Sequence, residues 1–209
     1  MKEIIEKFPS LELRQKEQFS KLEALYKRLN ASVNVISRKD INNLYTHHVL
    51  HSIFIHFIQN FKDGSEILDL GTGGGFPGIP LAILYPNVKF TIVDGTKKKI
   101  GIAKEVIKSL DLKNIEARHQ RAEEIKNQKF DFVICRAVAS VDKLLNWSRP
   151  LLKNNHQHGY PNGLFTWKGG DPKKEIKLLP KHEYTELFPL SDYTDNEYFE
   201  EKYILYVQG

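Results

Sequence analysis

The chain has little sulfur and no long apolar segment. It contains one cysteine, Cys135, and one methionine in 209 residues. A single thiol excludes an internal disulfide framework and a cysteine-rich metal site. No apolar run approaches the roughly 18 to 20 residues of a membrane-spanning helix, and the N-terminus lacks the pattern of a secretory signal. We therefore expect a soluble, cytoplasmic protein with no membrane partner, built as one α/β domain with an extension.

Positive charge is unevenly distributed along the chain, although the net charge is only +5. Residues 95–181 contain 19 Lys/Arg and 9 Asp/Glu, whereas residues 182–209 contain 1 and 7. A basic middle region favours a polyanionic partner such as nucleic acid. A solvated, lysine-rich surface explains the same counts equally well, so charge alone does not decide between the two.

A glycine-rich turn follows a short apolar run at residues 66–80, Glu-Ile-Leu-Asp-Leu-Gly-Thr-Gly-Gly-Gly-Phe-Pro-Gly-Ile-Pro. Glycines remove Cβ atoms where the chain leaves a strand, and they open backbone N–H groups to a ligand. The two prolines suit the first turn of a following helix. The pattern predicts a strand, a bare turn and a helix N-terminus, which is the nucleotide-binding corner of a doubly wound fold.

The glycines fit more than one motif. Gly73, Gly75 and Gly78 match the G-x-G-x-x-G of dinucleotide dehydrogenases, but the first of them lies three residues beyond the strand. The frame from Asp69 to Gly75, Asp-x-Gly-x-Gly-x-Gly, fits better and resembles motif I of S-adenosylmethionine-dependent methyltransferases. A purely structural turn is the third interpretation. Asp94 ends the next strand, where an acid accepts hydrogen bonds from ribose hydroxyls in this architecture; its alternative role is to cap the following helix.

Apolar periodicity predicts two helices before the glycine turn, at about residues 10–30 with Ser10 as N-cap and at about 40–60. We take residues 1–62 as a helical cap and 63–209 as one compact unit. Strands are predicted at 67–70, 88–94, 115–118, 130–136, 163–167, 184–187 and 202–207. Helical segments separate the first five but not the last two. This order predicts a parallel α/β sheet with a terminal antiparallel hairpin, and a flexible polar loop at 154–162.

Four histidines in the second cap helix, His47, His48, His51 and His56, raise the hypothesis of a metal site, because His47 and His51 are four residues apart. The other ligands expected of a zinc site are not evident nearby. We therefore expect packing or hydrogen-bonding histidines and no metal.

Five segments, in order over residues 34–169, carry a specific resemblance. They are 34–38 with 48–52, 69–80, 93–94 with 97–99, 121–123, and 136–138 with 168–169. Together they resemble the bacterial glucose-inhibited division protein B family, the small-subunit ribosomal RNA guanine-N7 methyltransferases. His51 stands where that family usually has an aspartate, and the insert at 154–162 is longer than usual.

The resemblance implies a Rossmann-like, class I S-adenosylmethionine methyltransferase fold with a seven-stranded, mostly parallel sheet and helices on both faces. It implies that guanine N7 of 16S rRNA is the acceptor, in the small subunit or its precursor, and we expect a monomer. The cofactor residues it implies are Gly71, Gly73, Phe76, Asp94, Gly95, Thr96, Ala122, Glu123 and Arg136. Asp69 either orients the turn or meets the cofactor ammonium through water. We predict that Arg136 and Lys168 position the substrate, and that the RNA backbone is contacted by Lys97, Lys98, Lys99, Lys173 and Lys174.

The chemistry of this reaction needs no general base, because a methyl sulfonium carries its own leaving group and guanine N7 has an in-plane lone pair. Correct positioning of the two reactants for in-line attack would supply most of the rate enhancement. The Asn/Asp-Pro-Pro-aromatic motif of amino-group methylation is absent after the fourth strand, where the chain reads Cys-Arg-Ala-Val. Cys135, the single candidate nucleophile for pyrimidine C5 chemistry, lies in an apolar strand that favours packing. A non-catalytic RNA-binding protein on a degenerate fold and a small-molecule methyltransferase remain the alternatives.

Overall fold

One seven-stranded sheet organises the computed structural model, which describes residues 1–136 and 139–209. Its strands are β1 Glu66–Leu70, β2 Lys89–Asp94, β3 Ile115–His119, β4 Phe132–Arg136, β5 Gly163–Gly169, β6 Thr185–Pro189 and β7 Lys202–Gln208. The spatial order is β3-β2-β1-β4-β5-β7-β6. Strands β1 to β5 pair in parallel, and β7 lies antiparallel between β5 and β6. The predicted mostly parallel sheet with a terminal antiparallel pair is confirmed.

Helices cover both faces of the sheet, as predicted. They are α1 Lys2–Lys7, α2 Leu13–Asn30, α3 His51–Ile53, α4 Gly78–Leu84, α5 Lys97–Ser109, α6 Val141–Ser148 and α7 Lys173–Ile176. Successive residues of β4 point to opposite faces: Phe132 and Ile134 join the apolar cluster with the cap, α4 and α5, whereas Val133 and Cys135 join the cluster with α6. Cys135 is fully buried, in agreement with a packing role.

The start of α2 differs from the prediction. Glu12, not Ser10, is the N-cap, and its backbone N–H donates to Gln15 Oε1 at 2.8 Å. The Gln15 side chain also donates to the carbonyls of Ile83 and Leu84, at 2.9 and 3.0 Å. The first turn of α2 is therefore fixed by a residue that also ties the cap to the end of α4.

The second cap helix is irregular rather than a single α-helix. It begins with a tight turn at Ile41–Asn43, widens to a π-helix at Leu44–Leu50, and continues through α3 into a second tight turn at Phe54–Phe57. Its apolar face shares one buried cluster with α2, α4 and the sheet. The cap therefore packs as part of the main core, and the boundary at residue 62 stays a prediction.

The polar insert at 154–162 lies against the amino end of β1, away from the glycine turn. His158 Nε2 is 2.8 Å from Ser65 Oγ, and the Tyr160 N–H donates to Gln59 Oε1 at 3.3 Å. Asn162 Nδ2 donates to the carbonyls of Lys153 and Asn155. These bonds anchor a segment that was predicted to be a flexible loop.

Within the described residues, no helix combines the length and apolarity needed to cross a membrane.

Candidate active site

Two adjoining cavities of about 550 and 220 Å³ open at the carboxyl ends of the parallel strands. They share Gly71, Asp94, Gly95 and Arg121, and we refer to them together as the cleft. The larger cavity is also lined by Val35, Thr72, Gly73, Gly74, Phe76, Thr96, Lys99 and Arg136. The smaller is also lined by Leu70, Val93, Gln120, Ala122, Glu123 and Trp147. Open parallel sheets bind ligands at this edge.

The glycine turn forms the floor of the cleft and tolerates few side chains. Gly71 and Gly73 have φ of 70° and 58°, in the left-handed region. A Cβ on Gly74 would lie 2.8 Å from Val35 Cβ, and the Gly74 carbonyl accepts a 2.8 Å hydrogen bond from the Tyr26 hydroxyl. Cap residues therefore press directly on the turn and hold its backbone in place.

Asp69 belongs to β1, and its fully buried side chain is enclosed by the glycine turn. Its Oδ2 accepts hydrogen bonds from Thr72 Oγ1 at 2.5 Å and from the Gly78 N–H at 2.9 Å, while its buried Oδ1 has no hydrogen-bond partner within the described residues. Burial raises the pKa of Asp69 to about 7, against the opposing effect of these two hydrogen bonds. The geometry shows a residue that orients the turn; its contact with the cofactor stays a prediction.

Asp94 joins two loops at the junction of the two cavities. Its Oδ2 accepts from the Gly73 N–H at 3.0 Å, and its Oδ1 accepts from the Thr96 N–H at 2.7 Å. Thr96, rather than Asp94, is the N-cap residue of α5. The carboxylate is thus held by backbone donors beside both cavities, where the predicted ribose contact would be made.

The smaller cavity contains the residues predicted to lie near adenine. Ala122 and Glu123 belong to a short helical turn, Ala122–Glu124, that follows β3. Trp147, from α6, lines the same cavity and was not predicted as a site residue, because the sequence gives no sign that α6 reaches this edge. Val35, from the cap, lies in a segment that carries the family resemblance but was not predicted as a site residue. Arg121 was noted only as part of a motif, and Lys99, predicted to contact RNA, also lines the cleft.

Arg136 reaches from the end of β4 to the cap. Its guanidinium carbon lies 5.3 Å from the centre of the Phe76 ring, and Nη2 lies 3.0 Å from His48 Nδ1. Nη1 is 3.4 and 3.5 Å from the carbonyl oxygens of His47 and His48. Burial lowers the pKa of Arg136, but a guanidinium remains a cation at neutral pH. The arginine therefore places a positive charge at the wall of the larger cavity.

Lys168 does not line the cleft within the described residues. Its Nζ lies 2.8 Å from Glu175 Oε2 and 3.2 Å from the Ala139 carbonyl oxygen, and its side chain is only 9% exposed. The same Glu175 oxygen accepts from the Val141 N–H at 2.9 Å, at the start of α6. Its role in positioning the substrate stays a prediction. Ala137 and Val138, in the motif after β4, lie outside the described residues.

The exposed lysines predicted to contact RNA lie on two helices. Lys97 and Lys98 open α5, beside the cleft, and Lys173 and Lys174 begin α7. Lys174 Nζ is 3.9 Å from Asp171 Oδ2 in a solvent-exposed pair. Such a pair contributes little and leaves the charge available to a phosphate.

The histidines of the cap form hydrogen bonds and ring contacts. Asp40 lies between His47 and His48, with Oδ2 at 2.5 Å from His48 Nε2. The His47 ring stacks on Tyr198 at 3.7 Å between ring centres. The carbonyl of His51 accepts a 2.7 Å hydrogen bond from Trp167 Nε1. No group of three or more His, Cys, Asp or Glu in residues 1–136 and 139–209 is placed to hold a metal ion.

A comparison with protein families identifies the chain. The model of the family described as rRNA small subunit methyltransferase G matches residues 15–194. The chain belongs to this family. The methyltransferase G relative of Porphyromonas gingivalis is 49% identical over 98% of this chain and 92% of its own. That of Bacteroides thetaiotaomicron is 47% identical over the full length of both chains. Family membership confirms the resemblance predicted from the five segments.

Solved structures with low sequence identity to this chain share its fold. A SAM-dependent methyltransferase from Aquifex aeolicus superimposes with a TM-score of 0.58 at 18% identity, covering 82% of this chain and 98% of its own. A MtNAS mutant in complex with S-adenosylmethionine gives a TM-score of 0.59 at 12% identity, covering 95% and 77%. These similarities confirm the predicted Rossmann-like class I methyltransferase fold.

Proposed function

We propose that this protein transfers a methyl group from S-adenosylmethionine to guanine N7 of 16S rRNA. The observation that carries the proposal is the cleft itself. It joins the glycine turn, the Asp94 carboxylate and the Arg136 guanidinium at the carboxyl edge of a methyltransferase sheet. Membership of the rRNA small subunit methyltransferase G family supports the class of substrate.

The residues of the cleft fit the three parts of the cofactor. Ala122, Glu123 and Trp147 border a small cavity that suits adenine, and Asp94 supplies an acceptor for ribose hydroxyls. The bare backbone around Gly71 and Gly73 admits a ligand closely, and Arg136 supplies a cation for a carboxylate. When bound, S-adenosylmethionine supplies an electrophilic methyl group on a sulfonium whose thioether is the leaving group.

The contribution of the protein to the reaction is positional. Guanine N7 attacks through a lone pair and loses no proton in the transfer, so no side chain has to act as a base. The glycine turn, held by Asp69 and Tyr26, would fix the cofactor, and Arg136 and Phe76 form the adjacent wall of the larger cavity. Rigid alignment of the two reactants supplies the rate enhancement in a reaction of this type. Lys168 would act by holding the chain after β4, through Glu175 and Ala139.

The RNA would approach across the open side of the cleft. Lys97 and Lys98 are exposed at the start of α5, next to Lys99 and Arg121 in the cleft wall, and Lys173 and Lys174 offer further exposed charges. Backbone phosphates are the groups that such lysines contact. We expect a cytoplasmic monomer that needs no metal and modifies the small subunit or its precursor.

The test is transfer of a labelled methyl group from S-adenosylmethionine to small-subunit particles and to rRNA from cells that lack this protein. We expect 7-methylguanine at a single site, identified by mass spectrometry. RNA binding without cofactor affinity, measured by calorimetry, would instead indicate a non-catalytic RNA-binding protein. Methylation of free guanosine in preference to RNA would indicate a small-molecule methyltransferase.

A further inference from the structure

A chain of hydrogen bonds runs from the cap into the cleft. Asp40 Oδ2 lies 2.5 Å from His48 Nε2, and His48 Nδ1 lies 3.0 Å from Arg136 Nη2. Arg136 and the Phe76 ring beneath it both line the larger cavity. The His48 ring also packs near Phe76, at 5.2 Å between ring centres. The guanidinium is thus held on one face by an aromatic ring and along one edge by an imidazole.

The donor geometry of Arg136 determines the direction of these bonds. A guanidinium has N–H donors and no acceptor, so His48 Nδ1 must accept from it. The single ring proton is then on Nε2, which donates to the Asp40 carboxylate. Burial and the nearby Arg136 charge lower the pKa of His48 to about 4, although Asp40 opposes the shift. At neutral pH, His48 is therefore a neutral bridge between an anion and a cation.

The order of residues along the cleft indicates what Arg136 would bind. Ala122 and Glu123 lie in the smaller cavity, and Asp94 lies at the junction of the two cavities. Arg136 lines the larger cavity and not the smaller one. It therefore lies on the far side of Asp94 from the predicted adenine position. With adenine and ribose in the first two places, the third belongs to the amino-acid end of the cofactor, whose carboxylate matches a guanidinium.

We propose that Asp40 and His48 are positioning residues that hold the Arg136 guanidinium against the carboxylate of the bound cofactor. The inference rests on the proposed function. An arginine side chain has several rotatable bonds, and fixing it before the ligand arrives removes part of the entropic cost of binding. The cap then acts on cofactor affinity through His48, although His48 itself contacts the arginine and not the cofactor.

A double-mutant cycle tests this inference, with the dissociation constant of S-adenosylhomocysteine measured by calorimetry. We expect His48→Ala to weaken binding about tenfold and Arg136→Ala to weaken it more, since hydrogen bonds to charged groups are the stronger class. The double variant should bind no more weakly than Arg136→Ala alone. This non-additivity is the decisive readout, because a histidine with a purely structural role would weaken binding independently of Arg136.

Two matched variants control the cycle. His48→Asn offers an amide oxygen to Arg136 and should bind more tightly than His48→Ala. His56→Ala removes another histidine of the same cap segment, one that is hydrogen-bonded to the Tyr85 hydroxyl at 2.6 Å, and should leave the dissociation constant unchanged. Thermal melts establish which variants are folded. If His48→Ala is not folded, the same cycle is run with Asp40→Ala and Arg136→Ala.

The outcomes separate this inference from the proposed function. Additive effects, or an unchanged affinity in folded His48 variants, would overturn the positioning role while wild-type methyl transfer stands. A wild-type protein that binds S-adenosylhomocysteine but transfers no methyl group to RNA would overturn the proposed function and leave the cycle valid. Absence of wild-type binding would overturn both.

Discussion

Two aspartates at the ends of adjacent strands have different roles because their burial differs. Asp69, at 0% exposure, satisfies one oxygen inside the turn and keeps the other without a described partner. Asp94 is partly exposed at the cleft and accepts from two backbone N–H groups. The first carboxylate therefore shapes the turn from within, whereas the second is available to a ligand at its surface.

Substitution of Asp69 should separate its hydrogen bonds from its charge. Asparagine can accept from Thr72 and Gly78 with its amide oxygen, so Asp69→Asn should lower the free energy of unfolding by less than about 1 kcal/mol. Asp69→Ala leaves the Gly78 N–H and the Thr72 hydroxyl without this acceptor in a buried turn, and should cost about 2 to 4 kcal/mol. Urea unfolding measures both. Equal losses in the two variants would show that the carboxylate charge, not its hydrogen bonds, holds the turn.

His48 should make the protein less stable as the pH falls. Its folded pKa of about 4 is below the ordinary 6.5, so between these values the unfolded chain takes up a proton that the native state refuses. Stability is therefore lost as pH falls from 6.5 to about 4. The contribution of Asp69 to the pH dependence of stability has the opposite sign. Its pKa is raised from 3.8 to about 7, so as the pH falls the native state takes up a proton before the unfolded chain does.

The two opposing contributions are separated by comparison with His48→Gln. Between pH 6.5 and 4.5, the free energy of unfolding of the wild type should fall more steeply than that of the variant, by roughly 2 kcal/mol over the range. Above pH 7 the difference between the two proteins should be constant. Parallel curves throughout would show that His48 is protonated equally in the native and unfolded states.

At the scale of elements, α7 and β5 hold Ala139 and the start of α6. Glu175 from α7 accepts from the first N–H of α6 and pairs with Lys168 at the end of β5. The pair is only partly screened, since the lysine side chain is 9% exposed and the glutamate 35%. This connection lies at the edge of the sheet where Arg136 ends β4.

Breaking this pair should destabilise the protein in a coupled way. Glu175→Ala and Lys168→Ala should each lower the free energy of unfolding by about 1 to 3 kcal/mol, because each removes the ion partner of a partly buried charge. The double variant should lose less than the sum of the two. Glu175→Gln, which keeps an acceptor for the Val141 N–H, serves as the milder control. Additive losses, measured by urea unfolding, would show that the two residues act independently.

The sequence predicted strands better than helix details. Each strand lies within two residues of its predicted bounds, because apolar alternation and flanking turn residues mark strands clearly. The helix at α1 was missed, and the π-helical turn at Leu44–Leu50 could not be foreseen, since both helix types bury an apolar stripe. The choice of Glu12 over Ser10 as N-cap depends on Gln15 meeting α4, which is a tertiary contact.

The same distinction holds for the candidate site. The ligand-binding roles of Gly71 and Asp94 could be predicted from the residues themselves, because parallel strands end at one edge of a sheet. Phe76 and Ala122 were predicted as cofactor residues from the family resemblance. Val35 and His48 lie in segments that carry the family resemblance, whereas Trp147 does not. The approach of all three to the cleft depends on how the cap and α6 pack, which the sequence pattern alone did not predict. Lys168 shared a motif with the site; within the described residues it pairs with Glu175 and does not line the cleft.

For the molecule as a whole, the unevenly distributed charges of the sequence lie in different places in the fold. Several acidic groups of the C-terminal part are occupied internally: Glu183 pairs with Arg149 at 2.6 Å, and Glu186 accepts from the Tyr160 hydroxyl. The lysines that open α5 are exposed beside the cleft, whereas Lys62 and Lys89 are exposed near the amino ends of β1 and β2, at the opposite edge of the sheet. Two matched pairs of lysines thus lie on opposite sides of the protein.

These pairs allow the RNA surface to be located by its salt dependence. If Lys97 and Lys98 neutralise two phosphates, the double variant Lys97→Gln, Lys98→Gln should bind an RNA fragment more weakly and reduce the slope of log affinity against log salt by about 1.4. The control Lys62→Gln, Lys89→Gln removes the same charge from the opposite edge and should leave the slope unchanged. Equal effects of the two double variants would indicate attraction by net charge alone. An unchanged slope in the Lys97, Lys98 variant would exclude α5 from the RNA-binding surface.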